Sequence, residues 1–265
     1  RRALPRFASE SFPAWFKTHT PSGQGESGQV VLFNDTFMNY NLPQIGKAAT
    51  YLLEKAGFRV ILANTSCCGR PMISKGLLLE AKSNAISNVN SLLPYAEQGI
   101  PIIGCEPSCI LSLKDEYPDL LRTDASKLVA SNSYLIDEFL QLLHNQGQLK
   151  LEFSDLGKNV LFHGHCHQKA LVGTKSSIDT LSMPKGFNVE EINSGCCGMA
   201  GSFGFEKEHY DLSMNVADLR LLPAIAKKDD SWEVAVMGVS CRQQIEHGTN
   251  IQPRHFVEIL KDAVI

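Results

Sequence analysis

Apolar positions along the chain alternate between short runs and helical stripes. Val30 to Phe33 is an unbroken apolar run, short and β-branched at its start, which predicts a strand. Pro43 then opens a stretch in which Ile45, Ala49, Leu52, Leu53 and Ala56 share one side at helical spacing, and Gly57 ends it. Phe58 to Ala63 predicts a second strand. Ile73, Leu77, Ala81, Ile86, Val89 and Leu93 predict a long second helix, and Ile100 to Ile103 a third strand. Strands separated by helices make βαβαβ, the signature of a parallel sheet covered by helices.

The pattern then replays. Val160 to Phe162 reads as a strand, the stretch from about Gln168 as a helix, and Phe187 to Ile192 as a strand. A long helix with Phe205, Leu212, Val216, Leu219 and Leu222 follows, then a strand at Val234 to Met237. Residues 127–147 predict one helix joining the copies. The offset 196 − 67 = 129 carries Cys67-Cys68-Gly69 onto Cys196-Cys197-Gly198, Val31-Leu32-Phe33 onto Val160-Leu161-Phe162, and Gly57-Phe58 onto Gly186-Phe187. Further on it grows to 241 − 109 = 132, from Ser108-Cys109 to Ser240-Cys241. The expected fold is therefore α/β, with two pseudo-symmetric βαβαβ lobes, parallel sheets and an internal duplication. Residues 29–157 would form the first copy and 158–265 the second. Residues 1–28 read as an N-terminal arm, with Phe7, Phe12, Trp15 and Phe16 as anchors and Pro21 to Gly28 of flexible linker composition.

Charge narrows the partners. The 25 basic and 28 acidic residues are well mixed, net −3, which leaves no footprint for nucleic acid. No apolar run reaches the roughly 20 residues of a membrane span, so no direct membrane span is expected. Arg1 to Pro5 lack the apolar stretch of a secretory leader, and a cytoplasmic setting follows. The chain opens on Arg rather than Met, which predicts a segment of a longer protein.

The chemistry lies in the eight cysteines, each at an expected strand end, the edge where open α/β sheets bind ligands. Adjacent thiols bridge poorly to each other, so reduced, metal-binding thiols are expected rather than disulfides. In the second copy the candidate ligands are Cys166, Cys196, Cys197 and Cys241. Four thiolates suit an iron-sulfur cluster and equally a tetrahedral Zn²⁺ ion. In the first copy the set is Cys67, Cys68, Cys105 and Cys109. Its leading loop has no cysteine, because the 129 offset places Phe37 opposite Cys166. His163, His165 and His167 flank Cys166, and His165 and His167 are candidates to surround a bound group. Gly69 and Gly198 each let the chain turn so that following amides face sulfur. No Ser-His-Asp order or carboxylate pair stands out, so no catalytic residue is assigned within this chain. Gly201 to Gly204 is too short a pattern for a phosphate loop.

Cys67-Cys68-Gly69 with Glu106 to Cys109, and Cys166-His167 with Gly195 to Gly198 and Cys241 to Ile245, resemble the cysteine-rich CCG domain family. That family includes the cysteine-rich subunit of heterodisulfide reductase and the glycolate oxidase iron-sulfur subunit. The likeness runs over about residues 29–265, and Arg2 to Phe7 is similar to the linker that follows a ferredoxin-like part in FAD-linked oxidases. The resemblance implies electron transfer through a 4Fe-4S cluster, with FAD on a partner domain or subunit oxidising a 2-hydroxy acid such as D-lactate or glycolate. It implies as partners a flavin-containing oxidase domain or subunit and a ferredoxin-like domain. Two other readings stay open: a zinc-stabilised interaction module without redox chemistry, and thiol-disulfide reduction of the heterodisulfide type. The fullest family pattern has five cysteines per copy, and neither copy here reaches it.

Overall fold

A computed structural model describes residues 2–23 and 25–265; Arg1 and Gln24, both in the expected arm, lie outside it. The chain divides into two compact units, Phe7–Leu151 and Glu152–Ile265, the latter joined by the segment up to Arg6.

The first unit runs α1 (Phe12–Thr18), β1 (Gly28–Phe33), α2 (Thr36–Tyr40), α3 (Pro43–Lys55), β2 (Phe58–Ile61), α4 (Arg70–Ser74), α5 (Leu78–Ala96), β3 (Ile102–Gly104), α6 (Pro107–Lys114), α7 (Glu116–Leu121), α8 (Asp124–Ser131), β4 (Ser133–Leu135) and α9 (Ile136–Asn145). Its parallel sheet has the order β2-β1-β3-β4. As expected, Ile45, Ala49, Leu52, Leu53 and Ala56 are all buried.

The stretch expected as an arm contains α1, opened by Ser11, whose Oγ accepts from Ala14 N, and two expected helices are corrected below. Phe12 is fully buried, and a Cβ on Gly46 would come within 2.6 Å of its ring, so the missing side chain lets α1 pack tightly on α3. The helix expected over 127–147 is interrupted by β4, which pairs with β3. Asn132 ends α8, and Ser133 Oγ donates to Val129 O at 2.8 Å, a side-chain bond that competes with helix continuation. The long helix expected from Ile73 breaks at Gly76, whose φ of 74° is left-handed, and α5 turns Ile86 outward and Asn88 inward.

The second unit runs β5 (Lys158–His163), α10 (Cys166–Leu171), α11 (Lys175–Leu181), β6 (Phe187–Glu191), a 3-10 turn (Phe203–Phe205), α12 (Tyr210–Ala226), β7 (Trp232–Val236), α13 (Val239–Thr249), β8 (Arg254–His255) and α14 (Phe256–Ala263). Its parallel sheet has the order β6-β5-β7-β8, the same as in the first unit. The two lobes are alike, as the duplication predicts. On α12, Leu212 and Leu219 are exposed, and Ser213, Ala217 and Leu221 take the inward side.

Register refines the duplication. Gly28 pairs with Phe58 and Phe33 with Gly104; Lys158 pairs with Phe187 and His163 with Val236. The central strands therefore correspond at 158 − 28 = 130, and in both the last four residues are buried. The repeated Val-Leu-Phe is one residue out of structural register. Thr36, first residue of α2, consequently matches Cys166, first residue of α10, and the expectation that Phe37 stands opposite Cys166 is corrected.

Candidate metal centre

In each unit the loops that follow the central strand and its two neighbours meet at the carboxyl edge of the sheet. A parallel sheet leaves that edge free for side chains, because its helices cover the faces.

In the second unit these loops bring together all four expected sulfurs. Cys166 starts α10, Cys196 and Cys197 fill the loop after β6, and Cys241 lies in the first turn of α13. A ring nitrogen of His163, at the end of β5, and the sulfurs of Cys197 and Cys241 all lie within 4.8 Å of one another, and all three residues are buried. Cys166 donates to Cys196, which Cys197 also approaches, and Cys197 donates to Cys241. The hydrogen bond from Cys166, the adjoining Cys197 thiol and the amides of Gly198 and Ala200 hold the Cys196 thiol well below its ordinary pKa. The hydrogen bond from Cys197, with His163 and His165 close by, holds Cys241 down as well. Their donors Cys166 and Cys197 are pushed up, first by those same hydrogen bonds and then by burial.

The backbone after the cysteine pair is fixed by close approach. Gly198 has a φ of 93°, and its N–H donates to Cys196 Sγ at 3.2 Å. A Cβ at this position would lie 2.2 Å from Ser213 O, which also accepts from Gln244 Nε2 at 2.9 Å. Only glycine meets both conditions. His163 is held by Ser194, Nδ1 to Oγ 2.8 Å, and its buried Nε2 has no oxygen or nitrogen partner. His165 caps α10, with Nδ1 accepting from the His167 amide at 3.2 Å.

The first unit assembles a smaller set. Cys67, Cys68 and Cys109 form a row in which Cys68 Sγ donates to Cys109 Sγ at 3.2 Å and Cys67 hydrogen-bonds Cys68. At the place of Cys166, Thr36 hydrogen-bonds Cys67. Cys105 stands apart in its electrostatics: burial, then Asp35, Asp137 and Glu106, push its thiol well up. The hydrogen bond from Cys68 lowers Cys109, but burial, Asp35 and Glu106 outweigh it and leave it at about 11. Carboxylates thus occupy the surroundings that the second unit gives to histidines. The loop itself is well braced. Asn84 and Asn88 each donate to Cys67 O at 3.2 Å, Ser66 N donates to Asn88 Oδ1 at 2.8 Å, and Tyr117 Oη donates to Cys68 O at 2.9 Å.

Several of these residues carry no sequence signal as ligands. Asn88 sits where helical spacing would accept any inward residue, and Thr36 emerges only once strand register is known. The sulfur-rich donor set, with a His163 ring nitrogen within 4.8 Å of the Cys197 and Cys241 sulfurs, fits a metal or metal-sulfur group in the second unit. Negative sulfurs crowded without a cation must share protons, and a bound cation replaces them.

Fold and rim together define a duplicated α/β protein with a polythiol centre at the strand ends of each lobe. The cysteine-rich domain (CCG) profile matches residues 32–114, so this stretch carries the CCG domain. A subunit of the anaerobic glycerol-3-phosphate dehydrogenase of Escherichia coli K12 is 30% identical over all of this chain. D-2-hydroxyglutarate dehydrogenase of the same strain is 28% identical over 89% of it, and Lactate utilization protein A of Oceanobacillus iheyensis is 27% identical over 70%. The chain spans 66%, 22% and 77% of these relatives' lengths, respectively. Among the described residues no helix is long and apolar enough to cross a membrane.

Proposed function

We propose that this chain is the iron-sulfur electron-transfer part of a flavin-linked oxidoreductase, and that Cys166, Cys196, Cys197 and Cys241 hold a 4Fe-4S cluster. The observation that carries this is the delivery of four sulfurs from three strand-end loops to one rim, with two of them already favouring the thiolate. The relatives' names are those of dehydrogenases and of a lactate utilization protein, which supports a place in the oxidation of a 2-hydroxy acid or a related alcohol. FAD, on this reading, resides on a separate domain or subunit, alongside a ferredoxin-like part.

Within this chain, Gly198 and Ala200 present amides to Cys196, and Ser194 orients His163 toward Cys241. His165 and His167 flank the leading ligand. The cluster would supply one-electron transfer. Cys67, Cys68 and Cys109, with Thr36 at the fourth position and Gly69 shaping the turn, form a weaker second centre beside Cys105. Eight thiols without a disulfide accord with a reducing, cytoplasmic setting.

A zinc site is the second reading, favoured by the grouping of His163, Cys197 and Cys241 within 4.8 Å. Anaerobic purification followed by iron, sulfide and zinc analysis separates the two. Iron with sulfide and a dithionite-bleachable absorbance is expected, and it should be lost in Cys197→Ser. Stoichiometric zinc without sulfide would defeat the cluster reading.

A further inference from the structure

Arg2, in the segment that precedes the first lobe, packs into the second. Its Nε donates to Gly204 O at 2.8 Å, and its Nη2 reaches Ser213 Oγ and Met214 Sδ, each at 3.2 Å. The guanidinium lies over the Tyr210 ring, 5.3 Å from its centroid. These contacts hold the planar fork in one orientation, which a flexible ammonium would not match.

The residues that hold Arg2 also back the cysteine loop. Ser213 meets Arg2 through its hydroxyl and the backbone after Cys197 through its carbonyl, since a Cβ on Gly198 would lie 2.2 Å from Ser213 O. A Cβ on Gly204 would lie 2.7 Å from Met199 Sδ and 2.8 Å from Ser213 Oγ. One residue's thickness therefore separates the guanidinium from the loop that carries Cys197. The fork is not used up: Nη1 is buried and has no hydrogen-bond partner. A buried donor in excess of the available oxygens marks a place where negative charge is wanted. Burial disfavours the charged guanidinium, while Tyr210 and Cys197 favour it.

We propose that Arg2 is the charge-compensating residue of the second-lobe sulfur centre, a positioning residue that braces the Cys196-Cys197 loop and favours the centre's more negative, reduced state. This rests on the reading that the centre is redox-active. An arginine stays charged throughout the working pH range, so Arg2 supplies a fixed positive potential there. A fixed cation beside a group that gains an electron stabilises the reduced form.

The test is an anaerobic redox titration of the whole protein as parent, Arg2→Gln and Arg2→Lys, followed by visible absorbance and electron paramagnetic resonance. Removing the charge in Arg2→Gln is expected to weaken reduction about tenfold, which for one electron is about 59 mV. Arg2→Lys should recover a substantial part of that shift even though it loses the fork. If Arg2→Gln keeps its iron and sulfide and titrates with the parent, the inference is overturned. If Arg2→Gln loses iron, recovery of the iron in Arg2→Lys supports the role of charge, and loss in both variants overturns it in favour of a purely structural brace. A parent with no reducible centre defeats the underlying reading and this inference with it, and is recognised before any variant is compared.

Discussion

The Thr36 hydroxyl hydrogen-bonds Cys67 at the place where, in the other lobe, the Cys166 thiol meets Cys196. Each is the first residue of the helix after the central strand. One side chain thus separates a four-sulfur rim from a three-sulfur rim on the same scaffold.

Thr36→Cys should therefore add a ligand where the backbone already presents one. After anaerobic loading, the variant is expected to protect one more thiol from alkylation than the parent, counted by mass spectrometry. An extra thiol that alkylates freely would show that the first rim does not bind metal through this position.

The two loop glycines should respond differently to alanine. At Gly198 an added Cβ meets both a φ of 93° and the Ser213 carbonyl at 2.2 Å, so a loss of about 4 kcal/mol is expected. At Gly69 the φ is 82° and the nearest atom is Ala81 Cα at 3.4 Å, so backbone strain of about 1–2 kcal/mol should dominate. Denaturant unfolding of the metal-free proteins under reductant measures both, and equal losses would remove the distinction drawn between them.

Phe12→Ala tests whether the first helix belongs to the first lobe. A fully buried ring packed against Gly46 predicts a loss of about 3–5 kcal/mol, read from the same unfolding curves. A strap lying on the surface would cost next to nothing.

Asp35 gives a pH dependence. Burial raises its carboxyl to about 6 against the opposing amides of Met38 and Phe37, so the folded state holds this proton more tightly than the unfolded chain does. Stability from this group is greatest below pH 4 and declines as pH rises toward 6, by about 3 kcal/mol in total. In metal-free Asp35→Asn, which keeps a capping oxygen, that decline between pH 4 and 6 should vanish. An unchanged slope would assign it to other groups.

The sequence reveals most of the sheet and half of the rim's logic. Val30 to Phe33 is legible because it is apolar and short, and Phe187 to Ile192 because it follows the turn residues Pro184 and Gly186 and sets apolar Phe187, Val189 and Ile192 among polar neighbours. Ser133–Leu135 and Arg254–His255 are not, since two or three residues between helices blend into the neighbouring periodicity. The repeat itself is legible from Cys-Cys-Gly, but its register is not. A Val-Leu-Phe repeated one residue out of step points to Phe37, and only pairing across the strands identifies Thr36. His163 likewise looks like one of three alternating histidines until the buried end of β5 directs it toward Cys241. Arg2 lies so far from the cysteines in sequence that no spacing argument reaches it.

The sheet order β6-β5-β7 has a consequence for how the rim comes into being. Its sulfurs come from segments 196 − 166 = 30 and 241 − 197 = 44 residues apart, joined by helices that must pack before the strands align. Such non-local closure is slow and has to precede any gain from ligation. On the proposed reading, metal insertion would thus be a late event that inspects a finished sheet, unlike a small metal finger whose ion gathers the chain around itself. A misfolded copy would present scattered thiols with nothing to load.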